Sequence, residues 1–335
     1  MVIINSYSIA VMLTAITMIC WGSWANTQKL ATKEWPFQLF YWDYSLGILL
    51  FSLVFGLTAG SIGEDGRSFV TDLMQGSWNS ATRAFFGGCV FNIANLLLVA
   101  AIDIAGMAVA FPVGIGIALV LGVIVNFISE SKGNPVLLFI GVSMVAIAII
   151  LNGLAYKKLS AKNKTGTPGK GIWISILAGI LMAFFFRFVA DSMSMDFKNP
   201  LEGKYTPYSA LFVFSAGLFV SNFAFNTFFM KKPLKGNVVN YGEYFSKGTP
   251  KLHLIGLLGG IIWSMGMSFS LLASEQAGTA ISYGLGQGAT LVAALWGVFV
   301  WKEFKNASKF TNILLAIMFL LFMIGIFCII LARNG

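Results

Sequence analysis

The chain has 335 residues, of which 57% are apolar and only 10% charged, with a formal net charge of +9. A mean hydropathy of +0.81 leaves too little polar surface to hydrate a soluble globule, so the composition points to an integral membrane protein. The excess positive charge sits in short loops between apolar runs rather than on one basic face, which argues against nucleic acid as a partner.

A membrane-crossing helix needs ~20 mostly apolar residues. Ten stretches qualify: 6–27, 36–60, 82–102, 105–127, 134–156, 171–193, 207–230, 252–274, 277–301 and 308–332. The runs are continuous rather than alternating, so helices are predicted and a β-barrel is not. Together the spans leave little chain for a soluble domain. Residues 1–8 carry no Lys or Arg, so the first span is read as a retained helix and not a cleavable leader.

The first span ends in a polar-aromatic cluster that includes Trp21, Trp24 and Asn26. Trp21 and Trp24 are three apart and share a helix face. They suit either an interfacial belt or the wall of a polar cavity. The second span carries FYWDYSLG, with Asp43 about two turns inside. A carboxylate at that depth costs roughly 2.5–3.5 kcal/mol unless it faces a partner or a wet cavity. Asp43 is therefore the candidate proton-coupling group, with a tyrosine-held interfacial carboxylate as the alternative. The third span places Asn92 and Asn95 on one face, where amides either bind a polar solute or join helices.

In the fourth span, Pro112 and the Gly114/Gly116 pair predict an interruption, because Pro removes a backbone donor and frees a carbonyl. The basic stretch 157–170, KKLSAKNKTGTPGK, links the two halves. In the sixth span Arg187 and Asp191 are four apart, which suits a same-helix ion pair or an outward gate. Asn222 and Asn226 share a face of the seventh span. His253, the only histidine, opens the eighth and reads as an interfacial structural residue, with a proton relay as the alternative. Trp263 follows it as a candidate cavity aromatic. In the ninth span Tyr283 and Gln287 share a face and are candidate solute contacts. Lys302 and Glu303 end that helix. Cys20, Cys89 and Cys328 all lie inside spans and read as small buried apolar residues, with no disulfide framework. No His/Cys spacing suggests a metal, and neither a nucleophile–His pair nor a phosphate-cradling loop suggests an enzyme.

The second half repeats the first. Gly278 follows Gly106 by 172 residues, and the same offset pairs Gly286 with Gly114, Gly288 with Gly116, Gly259-Gly260 with Gly87-Gly88, and Trp263 with Phe91. The division is 1–160 and 161–335. Five spans per copy is an odd number, so the second copy must cross the membrane in the opposite sense. The expected fold is all-α, two inverted five-helix repeats with a broken fourth helix in each half. Alternate loops hold 15 of the 22 Lys+Arg, against Arg67, Arg83, Lys132, Lys198, Lys204 and Arg333 in the other set. This bias places both termini outside the cytoplasm.

Several stretches resemble a known family. NTQKL (26–30), FYWDY (40–44), GGIIW (259–263), AISYGLGQGATLVAALWGVFVWKEF (280–304) and KNA (305–307) are similar to the glucose/rhamnose porter group of the drug/metabolite transporter superfamily. That group includes L-rhamnose–proton symporters, glucose uptake proteins and ureide permeases. The resemblance implies uptake of a small neutral polar solute, foremost a sugar, by proton symport across the plasma membrane. The alternative is a ureide or nucleobase-like heterocycle. No cofactor beyond the proton gradient is implied. The expected partners are the solute and lipid, with the chain a monomer or homodimer.

Overall fold

The computed structural model describes residues 1–31, 35–105, 107–159, 168–234, 236–305 and 307–334. It is built of helices, and among the described residues the only β-pairing is an isolated bridge between Met193 and Tyr205. Among the described residues ten helices are long and apolar enough to cross a membrane. Their bounds fall within a few residues of the predicted spans, the fourth helix running Met107–Ser129.

The first span is α1 (Tyr7–Ser23) followed by α2 (Ala25–Ala31). Then come α3 (Phe37–Leu57), the short α4 (Phe69–Gln75), α5 (Trp78–Ala105), α6 (Met107–Ser129) and α7 (Pro135–Leu159). The second half holds α8 (Pro168–Ser192), α9 (Pro207–Lys231), the short α10 (Tyr241–Lys247) and α11 (Pro250–Ala277). The ninth span is α12 (Thr279–Gly286), α13 (Ala289–Leu295) and a π-turn at Trp296–Val300, and the tenth is α14 (Lys309–Leu331).

One expectation is corrected. The α6 helix runs through Pro112 without a break. Because α6 begins at Met107, Pro112 lies only in its second turn. A single hydrogen bond, to the Ala108 carbonyl, is forfeited there, and the helix absorbs the loss. The ninth span does break, at Gln287–Gly288, between α12 and α13. The linker residues 160–167 and Asn306 lie outside the described residues, as does the side chain of Asp103.

The helices sort into two compact units. The first is residues 1–92 and 185–276, the second 93–184 and 277–335. Each unit therefore draws on both sequence halves, and α5 and α8 contribute to both.

In the first unit four glycines set the helix crossings. A Cβ on Gly260 of α11 would fall onto the Tyr44 carbonyl and lie 2.8 Å from the Ile48 nitrogen of α3. A Cβ on Gly88 of α5 would fall onto the Phe214 carbonyl and lie 2.7 Å from the Leu218 nitrogen of α9. Gly47 meets the Leu257 carbonyl, and Gly217 meets the Phe85 carbonyl, in the same way. Hydrogen bonds follow suit. Asn92 Nδ2 donates to the Leu218 carbonyl at 3.2 Å, and Ser264 Oγ donates to the Ile48 carbonyl at 3.2 Å. The α3–α11 and α5–α9 crossings are thus built alike, from residues 170 or 172 positions apart. Small residues allow this close backbone approach, which in lipid replaces the hydrophobic effect as the packing force.

One end of this unit is closed by a buried carboxylate. Asp72 of α4 is 0% exposed. Its Oδ1 accepts from Arg67 Nε at 3.0 Å and Gln75 Nε2 at 3.2 Å. Its Oδ2 accepts from Thr206 N at 2.7 Å and Thr206 Oγ1 at 2.9 Å. Removing one partner from a buried charged network strands the others. Asp72→Ala is expected to cost about 3 kcal/mol, read as a fall in the thermal unfolding midpoint. An unchanged midpoint would show that the network is dispensable.

In the second unit α7 packs against α6 and α14. A Cβ on Gly141 would lie 2.6 Å from the Gly325 carbonyl, and one on Gly325 2.8 Å from the Gly141 carbonyl. Gly278, with φ 85°, begins α12 in the left-handed region that glycine tolerates. The Thr279 N–H at that helix start donates to Glu130 Oε2 at 3.0 Å. Tyr156 donates to Glu303 Oε2 at 2.7 Å, which ties α7 to the turn after the π-segment.

Candidate functional site

The candidate solute contacts fall in both units. Trp21, Asn26, Asn92 and Trp263 belong to the first, and Asn95, Tyr283 and Gln287 to the second.

In the first unit the aromatics form a stack. Trp21 lies 5.8 Å from Trp263 with ring planes 14° apart, and its Nε1 donates to the Trp263 carbonyl at 3.2 Å. Trp263 meets Phe91, its counterpart in the repeat, at 4.4 Å, and Phe214 at 5.9 Å. Trp263 is thus covered by other rings and buried, while Trp21 is half-buried and is the more open member. Asn26 Nδ2 donates to the Ser23 carbonyl of its own helix at 2.9 Å. Asn92 Nδ2 also reaches Ser221 Oγ at 2.9 Å, while its Oδ1 is buried with no hydrogen-bond partner. Asn222 and Asn226 join α9 to α3, donating to Ser45 Oγ at 3.1 Å and the Gln38 carbonyl at 2.8 Å.

In the second unit Asn95 is buried. The Tyr283 hydroxyl donates to the Ala118 carbonyl at 3.0 Å and the Met182 carbonyl at 3.3 Å. Its ring occupies the space that a Cβ on Gly122 would take. Gln287 is buried at the helix break, and its carbonyl accepts from Thr290 Oγ1 at 3.1 Å. The π-turn that follows is a feature often found at functional sites.

The charged centre of the first unit is Asp43. Its side chain is 3% exposed, and that of His253 is 28%. His253 Nδ1 lies 3.0 Å from Asp43 Oδ2 and 3.1 Å from Oδ1. The Tyr244 hydroxyl, from α10, donates to Oδ1 at 2.5 Å. Burial, and then the bond to Asp43, raise the Tyr244 phenol well above its ordinary range, so it stays a donor. Trp35 walls the group, 4.8 Å edge-on to His253 and 5.6 Å from Tyr244. Gly256 leaves room for it, since a Cβ there would lie 2.6 Å from Asp43 Cβ. Sequence reading missed His253 and Tyr244 as partners of Asp43. The available signal was chemical: one deeply set carboxylate, one histidine in the chain, and both near the same end of their spans.

Arg187 pairs with Asp191 along α8, and Arg83 reaches the same carboxylate at 3.1 Å. Near the end of α11, Glu275 Oε1 accepts from Phe197 N at 2.6 Å. Among the described residues no group of three or more His, Cys, Asp or Glu is placed to hold a metal ion.

The sequence model described as ureide permease matches residues 40–167 and 157–332. The chain belongs to the ureide permease family. Ureide permease 1 of Arabidopsis thaliana is 25% identical, covering 98% of this chain and 97% of its own. Ureide permease 4 of the same plant is 24% identical over 100% of this chain and 99% of its own. A probable glucose uptake protein of Staphylococcus aureus is 25% identical over 63% of this chain and 65% of its own. One solved crystal structure superposes with a TM-score of 0.59 at 16% identity, covering 98% of this chain and 99% of that one, which shows a shared fold. This ureide permease family member is a multi-pass integral membrane transporter and not an enzyme. The ranking of solutes changes accordingly. The ureide reading, second in the sequence analysis, now has better support than the sugar reading, because the ureide permeases match end to end.

Proposed function

We propose that this chain imports a small, uncharged ureide across the cytoplasmic membrane by proton symport with alternating access. The observation that carries the solute class is the full-length similarity to ureide permeases. The ureido group is planar and presents N–H donors and a carbonyl acceptor. Amide side chains complement that pattern, and Asn92 Oδ1 has no hydrogen-bond partner among the described residues. Trp21 offers a face for a flat solute. Gln287 at the helix break and Asn95 are further candidates.

Asp43 is proposed as the proton-coupling carboxylate, with His253, its more exposed partner, carrying the proton to it. The matched glycine crossings support a duplicated unit, and five spans per copy make the second inverted. On the loop charges, both termini lie outside. Arg187 and Asp191 are candidates for an outward gate. The chain is proposed to act as a monomer or homodimer.

A sugar is the second reading, favoured by the partial similarity to a glucose uptake protein and by the tryptophan stack. Competition in proteoliposomes decides between them. Allantoin in excess is expected to suppress uptake of labelled ureide, while glucose and rhamnose leave it unchanged; the reverse pattern would install the sugar reading. Trp21→Ala is expected to raise KM about tenfold, the loss of one aromatic contact. An unchanged KM would remove Trp21 from the solute site.

A further inference from the structure

Three cations gather around Asp191 where α5 begins and α8 ends. Arg83 Nη1 lies 3.1 Å from Asp191 Oδ2, and Arg187 Nη2 binds Asp191 Oδ1. Both carboxylate oxygens are thus taken by guanidinium groups. The Lys204 ammonium reaches the cluster too, but donates to the backbone carbonyl of Asp191. The group therefore carries two positive charges beyond what its own carboxylate balances.

Two of the nearby acids are committed elsewhere. Asp72 is saturated by Arg67, Gln75 and Thr206, and Asp65 pairs with Lys198 at 3.5 Å. Beyond Asp191, Arg83 has one acceptor, Asn79 Oδ1 at 3.0 Å. The cluster is open to solvent, with Arg83 43% and Arg187 23% exposed. It is also held in place. The Lys204 carbonyl accepts from Arg67 at 2.7 Å and Gln75 at 3.0 Å, and the flanking Gly203 N–H donates to Gln75 Oε1 at 2.7 Å. Burial first, and then the adjacent Arg83, push the Lys204 ammonium below its ordinary range.

Sequence economy points the same way. Arg83 and Lys204 belong to the six cations of the lysine-poor set, and Arg187 lies within the sixth span. Charges that run against the loop bias, drawn together from three segments, call for a ligand.

We propose that Arg83, Arg187 and Lys204 form an anion-binding site for an oxyanion, a phosphate or carboxylate group, distinct from the transported solute. Guanidinium forks with a lysine beside them match the geometry of such groups. The group can come from a free anion or from a lipid headgroup.

The test uses the full-length protein in phosphatidylcholine nanodiscs. Inorganic phosphate is titrated at constant ionic strength, with chloride balancing, and the unfolding midpoint is read. A parallel set of nanodiscs contains a minority of phosphatidylglycerol. A saturable rise with phosphate in the neutral bilayer assigns a free anion, and a rise only with phosphatidylglycerol assigns a headgroup. In either case Lys204→Gln should weaken the apparent Kd about tenfold, the loss of one charge-assisted bond, with Arg83→Gln as the second variant. Asp191→Asn should tighten it, because the competing carboxylate is gone. A merely structural role for the cluster gives no such gain. The proposal is overturned if neither probe raises the midpoint, if Lys204→Gln and Arg83→Gln respond like the unaltered protein, or if Asp191→Asn binds more weakly.

Discussion

Asp43→Asn is expected to abolish accumulation driven by a pH gradient while leaving exchange of labelled for unlabelled solute intact. One pH unit stores ~1.4 kcal/mol per proton, so a one-to-one symporter should concentrate its solute about tenfold across that step. With asparagine the ratio should fall to about one. The reasoning is local. Asparagine preserves the side chain's size and keeps an oxygen to accept the 2.5 Å bond from Tyr244. It cannot bind or release a proton, and it cannot answer a change of charge on His253, 3.0 Å away. Coupling should therefore be lost without loss of the translocation pathway. His253→Gln is expected to slow gradient-driven uptake, because its ring is the more exposed of the pair. Accumulation and exchange are measured in the same proteoliposomes. Full gradient-driven accumulation in Asp43→Asn would reassign the coupling role, and loss of exchange as well would make Asp43 a structural residue.

Gly260→Leu is expected to leave no folded transporter, and Gly260→Ala to lower stability by about 3 kcal/mol, near the upper end of ordinary overpacking. The added carbon would meet main-chain atoms, the Tyr44 carbonyl and the Ile48 nitrogen. Backbone cannot swing aside as a long side chain can. The two helices must separate, which also breaks the 3.2 Å bond from Ser264 to the Ile48 carbonyl. Gly88→Ala should behave alike, since its Cβ would strike the Phe214 carbonyl. The contrast is Gly116, where a Cβ would meet nothing within 4 Å. It lies inside the unbroken α6, so Gly116→Ala should be neutral or stabilise by up to about 1 kcal/mol through helix propensity. Thermal unfolding of the three alanine variants measures both effects. Equal tolerance at Gly260 and Gly116 would show that these crossings do not depend on glycine.

Glycines of identical sequence character thus differ entirely in cost. Composition reports that a glycine is present, and only the neighbouring helix says what its missing side chain makes room for. Pro112 teaches the same lesson in reverse. Its ring predicted an interruption, but the position of the α6 start turned a break into one missing hydrogen bond. At Gln287–Gly288, with two further glycines at 284 and 286, the break did form.

By itself the sequence determined the class, the ten crossings and the offset between the halves. These follow from apolar run length and residue identity, quantities written along one dimension. It also singled out Asp43, because a deep carboxylate is costly wherever it sits. The tertiary structure alone decided what that carboxylate touches. His253 stands 210 residues away and Tyr244 201, and Arg83 and Asp191 are 108 apart. Such pairings depend on which helices cross and at what height, and no local pattern of hydropathy or charge encodes the crossing.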